Sequence, residues 1–147
     1  MKKFFFPLQN LMNFKEQILE SERLVLGEMN AVLARLTEEL ARMLRERKER
    51  NELLIQESSN GILRYELAVH KNYLNALDFE IQQKYIQIDL QSEAIDRQTD
   101  KVRQAKMEVS TIEKLRERKQ EEYRYQAMKA DEQFIDEFVN NTGASSF

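Results

Sequence analysis

The sequence predicts an all-α protein: a long antiparallel two-helix coiled-coil hairpin with a C-terminal helical overhang. Three observations lead there. Of 147 residues, 33% are charged, with one Pro, three Gly and neither Trp nor Cys, a composition of long helices rather than of α/β domains. A heptad of aliphatic residues runs through the second half: Leu67, Leu74, Ile81, Ile88, Ile95, Val102 and Val109, the 3.5-residue repeat of a coiled-coil seam. And the chain is strongly punctuated at one place, Ser58-Ser59-Asn60-Gly61, so a single turn separates two long segments.

Pro7, the only proline, is tolerated in the first turn of a helix, so helix 1 is expected over about residues 8–57. Its apolar stripe reads Leu11, Phe14, Ile18, Val25, Met29, Val32, Leu36, Leu40 and Met43. These spacings fit one face of a 3.6-residue period rather than a strict 3.5 repeat. In the turn, 58–61, Gly61 supplies a left-handed cap for helix 1, and Ser or Asn caps the next helix. Helix 2 is expected over about 62–140, and 141–147 (Asn141 to Phe147) as a disordered tail. The whole chain reads as one coiled-coil domain.

A turn near residue 60 makes facing positions sum to roughly 119–120, so Ile95 faces Val25 and Ile112 faces Leu8. The heptad on helix 2 stops at Ile112, with Arg116 at the next seventh position, because helix 1 has no residues left to face it. At ~1.5 Å per residue, residues 113–140 then project roughly 40 Å as a bare overhang. Isolated helix is marginal in water. Such a segment frays, self-associates or enters a partner.

Several function classes are excluded on chemistry. A net charge of -3 with both signs interleaved gives no general attraction to nucleic acid or anionic lipid. Without cysteine there is no disulfide frame, thiolate chemistry or sulfur-ligated zinc. The opening MKKFFFPLQNLMNF lacks both the roughly 7–15-residue apolar core and the cleavage site of a signal peptide, and no run approaches the ~20 apolar residues of a membrane span. No nucleophile–base set, phosphate loop or HExxH occurs, so neither an enzyme nor a cofactor is expected. His70 without a second ligand beyond an abundant Glu66 is a poor metal site.

Three stretches remain as candidate sites. The overhang carries Lys114, Arg116, Arg118, Lys119 and Arg124 among interleaved glutamates, which is either a solvated helix face or a docking surface. Residues 45–52 lack any apolar side chain, yet face about 67–75. Either Arg and Lys stems cover that surface, or Met43, Tyr73 and Leu77 form an exposed patch for a partner, with Glu46, Arg50 and Lys84 among them. His70, Lys84, Gln91 and Gln98 lie within the heptad seam, where polar residues fix register at some cost in stability.

Three stretches carry a resemblance to the FliJ family of flagellar type III export proteins. The opening Phe6-Pro7-Leu8-Gln9-Asn10-Leu11-Met12-Asn13-Phe14-Lys15-Glu16 is similar to that family's start, though Pro7 stands where it usually has a basic or polar residue. Gly61-Ile62 with Tyr73-Leu74-Asn75-Ala76-Leu77 resembles its second-helix start. Glu113-Lys114-Leu115-Arg116-Glu117-Arg118-Lys119, Glu122-Tyr123 and Asp136-Glu137 resemble its charged C-terminal helix.

The resemblance implies a coiled coil similar to the central γ stalk of rotary ATPases, docking in the hexameric ring of the export ATPase FliI. It would promote that ATPase's activity and couple it to the membrane export gate FlhA. Leu8, Leu11, Leu115, Arg116, Arg118, Lys119, Tyr123 and Arg124 would meet the ring. Met43, Tyr73 and Leu77 would meet the gate or export chaperones. The chain would be cytoplasmic, peripheral at the membrane through the apparatus, without inserting in the bilayer and without nucleic acid. The competing reading is a chaperone-like escort or coiled-coil adaptor for secreted subunits; a basic-face nucleic-acid binder is a third.

Overall fold

The structure, a computed structural model, describes residues 2–145. They form α1 (Gln9–Ser59) and α2 (Arg64–Ser145), with no strand among the described residues. The architecture is an all-α antiparallel two-helix coiled coil. Contacts within it group into two units, Glu22–Val102 and Met1–Ser21 with Arg103–Phe147, taken in turn.

In the first unit the turn occupies residues 60–63, two residues later than expected. Gly61 has φ +86°, the left-handed conformation that closes helices and that glycine adopts without a Cβ penalty. Asn60 and Gly61 donate backbone hydrogen bonds to the carbonyls of Glu57 and Ser58. Neither serine nor asparagine caps α2: Leu63 precedes it, its carbonyl accepting from Leu67 at 3.0 Å.

The two helices meet along paired heptads. On α2, Leu74 and Ile81 are buried and Leu67, Ile88, Ile95 and Val102 half-buried, as their spacing predicts. On α1, Met29, Leu36 and Met43 turn inward as expected. The rest of its inward face corrects the sequence reading. Leu26, Leu33, Leu40, Arg47 and Leu54 are all buried or half-buried, a strict seven-residue repeat, whereas Val25 is 40% exposed. Arg47 interrupts that repeat and hid it. Leu40, Leu77 and Ile81 form a buried cluster, with Met43 and Ile88 packed against it.

Polar residues thread the seam and set its register. Gln98, 6% exposed, donates to the Glu22 carbonyl at 2.9 Å, and Gln91 donates to the Met29 carbonyl at 3.0 Å. Both pairs fit the antiparallel alignment that a turn near residue 60 requires. An amide bonded to a main-chain carbonyl of the opposite helix is orphaned by a shift of a few residues. A slip of a whole heptad would bring Gln98 to the Met29 carbonyl and is opposed by charged pairs instead. Lys84 reaches Glu39 at 2.6 Å, and Arg47 reaches Asp78 at 2.5 Å.

In the second unit Phe6, Met12, Leu19, Ala105 and Val109 are buried, and Lys15 pairs with Glu108 at 3.1 Å. Pro7 sits at the second position of a turn in which the Gln9 amide donates to the Phe6 carbonyl at 3.1 Å, a position proline's fixed φ favours. Leu11 and Phe14 are 41% and 56% exposed, because Met12 takes the inward position instead. Residues 2–8 do more than start a helix. The Phe4 ring lies 5.7 Å from that of Tyr123, tilted 56°, and the Tyr123 hydroxyl donates to the Lys2 carbonyl.

This lead-in shortens the expected overhang. Leu115, Arg116, Gln120, Tyr123 and Ala127 are half-buried, and uninterrupted exposure begins only at Met128. The expected disordered tail is also corrected. Asn141, Thr142, Gly143, Ala144 and Ser145 continue the helix. Residues 146 and 147 of that expected tail lie outside the described residues.

The core and its ion pairs can be tested separately. Leu77→Ala, which empties a position 5% exposed, costs about 2–4 kcal/mol in denaturant unfolding; a loss near zero would show that Leu77 is not in the core. The Glu39 carboxyl is held below its ordinary value of 4.5 chiefly by its hydrogen bond from Lys84. That pair therefore stabilises the fold fully above the ordinary value and is lost as pH falls through the lowered one. The stability of the wild type relative to Lys84→Met should fall steadily on acidification below pH 4.5. A difference independent of pH would refute the pairing.

Candidate functional site

Of the residues read as the contact surface in the second unit, Leu8 and Leu11 stand 38% and 41% exposed on the chain's start. Arg118, Lys119 and Arg124 are exposed on α2. Leu115, Arg116 and Tyr123 are half-buried by their own chain, so they present only part of their surface. Lys119 pairs with Glu122 at 3.6 Å, both side chains 55% exposed; such a surface pair contributes little.

The basic side chains do not share one face. At about 100° per residue, Arg118 and Lys119 point about 100° apart and Arg124 another 120–140° from each. The three bases therefore spread around the helix, with Glu117, Glu121 and Glu122 interleaved among them.

Arg116 answers why the aliphatic heptad ends. It occupies the inward position that Val109 and Tyr123 bracket seven residues to either side, close to Met12, Glu113 and Glu117. Its Nε is buried without a hydrogen-bond partner, the one such side-chain atom among the described residues. An unsatisfied buried donor costs about 1–3 kcal/mol.

Beyond Ala127 the helix has features that the sequence reading left out of its contact surface. Met128, Ile135, Phe138 and Val139 are 51–63% exposed and fall within about 100° of one another around the axis, an amphipathic stripe. Phe134 and Tyr125, 71% and 58% exposed, stand off that stripe. The 3.5-residue rhythm is weaker here than between 67 and 109, which is why the stripe does not announce itself.

In the first unit, the expected apolar patch is corrected. Leu77 is core, not surface, because it fills the Leu40–Ile81 cluster. Met43 is half-buried beside it, on a shallow groove with Glu39, Arg42 and Glu46. Tyr73 remains 38% exposed, but polar residues of α1 engage it: its hydroxyl donates to Glu46 and the Arg50 guanidinium sits 4.4 Å over its ring. The bond to the Glu46 carboxylate raises the phenol above its ordinary pKa. Long charged side chains thus cover the segment that faces 45–52. His70 is paired with Glu57 at 2.7 Å, and no group of three or more acidic or imidazole side chains suited to a metal occurs among the described residues. No helix among them is long and apolar enough to cross a membrane.

Arg116→Leu should raise stability by about 1 kcal/mol, a gain of about 3 °C in melting temperature for a chain of this size. A lowered melting temperature would mean that the guanidinium is satisfied.

Sequence comparison matches the profile described as flagellar FliJ protein over residues 4–145. No curated protein matches the chain. Among solved structures, a protein from Chlamydia trachomatis described as a putative YscO homologue aligns at a TM-score of 0.47 and 16% identity, covering 96% of this chain and 93% of its own. With nearly its whole length inside the family profile, the chain belongs to the FliJ family, non-enzymatic components of flagellar type III export.

Proposed function

We propose that the chain is itself non-enzymatic and acts as a stalk. The end of α2, with Leu8 and Leu11, docks in the hexameric ring of the export ATPase FliI, promotes its hydrolysis and couples it to the gate protein FlhA for flagellum assembly and motility. The observation behind this reading is the helix from Met128 onward, whose apolar stripe is left uncovered by the chain's own start. From there to Ser145 the helix runs about 27 Å.

Its base carries Arg118, Lys119 and Arg124 about 100–140° apart, with the side at Tyr123 covered by the lead-in. That distribution suits a collar of carboxylates better than a flat partner, because bases project in three directions. Charges so placed speed and orient docking more than they deepen affinity. The mechanism is allosteric: an asymmetric helical end makes different contacts with successive subunits and biases which one closes on nucleotide.

For the gate, the exposed surface near the central patch is Tyr73 with the rim of Met43, and Leu77 contributes from beneath by holding α1 and α2 together. The escort reading depended on Tyr73 and Leu77 as a joint apolar surface, and the burial of Leu77 removes half of it. The chain would lie in the cytoplasm, held at the membrane by its partners.

Removing residues 128–147 leaves Phe6, Met12 and Tyr123 in place and should abolish stimulation of purified FliI, with helical content reduced only by the deleted turns. Undiminished stimulation would disprove the assignment of this end to the ring.

A further inference from the structure

The side of α2 that faces away from α1 carries a second apolar stripe. Val69, Ala76, Phe79, Ile86 and Leu90 lie on the heptad positions opposite the seam, three or four residues apart with Asn72 and Gln83 completing the rhythm. Val69, Phe79, Ile86 and Leu90 are 50–65% exposed. In a helix wound at 3.5 residues per turn, such positions stay in line along the axis. Two large aliphatics and an aromatic on the solvent side of one helix offset nothing within the chain, and contiguous exposed apolar surface marks a contact site.

The charge around the stripe identifies what fits it. Asp89 and Glu93 lie on the outer positions themselves, and Glu66 and Glu80 on the lateral ones that flank them. From Arg64 to Arg97, apart from Lys84 and Asp78, which pair with Glu39 and Arg47 of α1, α2 carries five acids, Glu66, Glu80, Asp89, Glu93 and Asp96, against three bases, Arg64, Lys71 and Arg97. A second copy of this face would bring acid against acid. Anionic lipid would be repelled, and an interfacial helix needs the basic polar face absent here. A helix with apolar residues at 3–4 spacing and Lys or Arg beside them satisfies both the stripe and its flanks.

We infer that the outer face of α2 between Val69 and Leu90 is a docking surface for an amphipathic helix with basic flanks from another protein. The Gln83 amide, midway along, supplies a polar layer that fixes that helix's register. This face shares no residue with the surfaces assigned to the ATPase and the gate, so either reading can fail alone.

The test uses the full chain and labelled three-heptad peptides, with apolar residues at 3–4 spacing flanked by Lys or, in a matched control, by Glu. Fluorescence anisotropy should show the Lys-flanked peptide binding at least about tenfold more tightly, and more weakly as salt rises. The double variant Phe79→Gln/Ile86→Gln, with unchanged circular dichroism, should lose at least about tenfold in affinity. Equal binding of both peptides, or undiminished binding by the variant, would overturn the inference. So would sedimentation showing a wild-type dimer that the variant dissolves, which assigns the face to a second copy. Binding of the wild type, but not the variant, to phosphatidylglycerol vesicles would reassign it to lipid and overturn it equally.

Discussion

The alignment of α1 against α2 rests on polar side chains that reach across the seam, amides to main-chain carbonyls and charges to their opposites. Gln98 to Glu22 and Gln91 to Met29 are positional constraints of a kind that leucines do not impose. Aliphatic layers tolerate a shift of one heptad, since each meets another aliphatic layer. A glutamine loses its carbonyl on a shift of a few residues, which leaves a buried amide unpaired, but a slip of one heptad would hand Gln98 the carbonyl that Gln91 now holds. The ion pairs Lys84–Glu39 and Arg47–Asp78 make that last distinction: slipped by a heptad, Arg47 would face Lys71 or Tyr85 in place of Asp78.

The second unit uses a different device. Its lead-in, residues 2–8, is not helical, yet Phe6 is buried and Phe4 packs at an angle against Tyr123. Lys2 and Phe4 both meet Tyr123, so the lead-in covers α2 beyond the point where α1 begins. The unsatisfied Arg116 Nε lies on this covered stretch, so helix shielded by the chain's own start carries a stability cost shortly before the open stretch begins.

Function in such a protein is a matter of which faces stay open. The seam closes one side of each helix, long charged side chains close the stretch around Tyr73, and the lead-in closes α2 as far as Ala127. What remains open is chemically distinct from place to place: an apolar stripe beyond Met128, basic side chains around its base, and an acid-flanked apolar stripe on the outside of α2. The clefts along two paired helices are shallow and open, so specificity resides in these surfaces.

Much was legible in the amino-acid order. The heptad from Leu67 to Val109, the left-handed Gly61 and the antiparallel alignment follow from periodicity and turn chemistry, which are local properties of the chain. Part of the inward face of α1 was not legible: Leu11, Phe14 and Val25 compete with Met12, Leu19 and Leu26 nearby, and Arg47 breaks the true repeat. Which set turns inward depends on the partner helix. The same holds for Leu77, whose burial follows from Leu40 opposite it, and for the lead-in, whose hold on Tyr123 joins residues 121 positions apart. Periodicity determined that there are two helices and a turn; only the packing of one against the other decided which side chains are left for partners, because exposure belongs to pairs of segments and not to either alone.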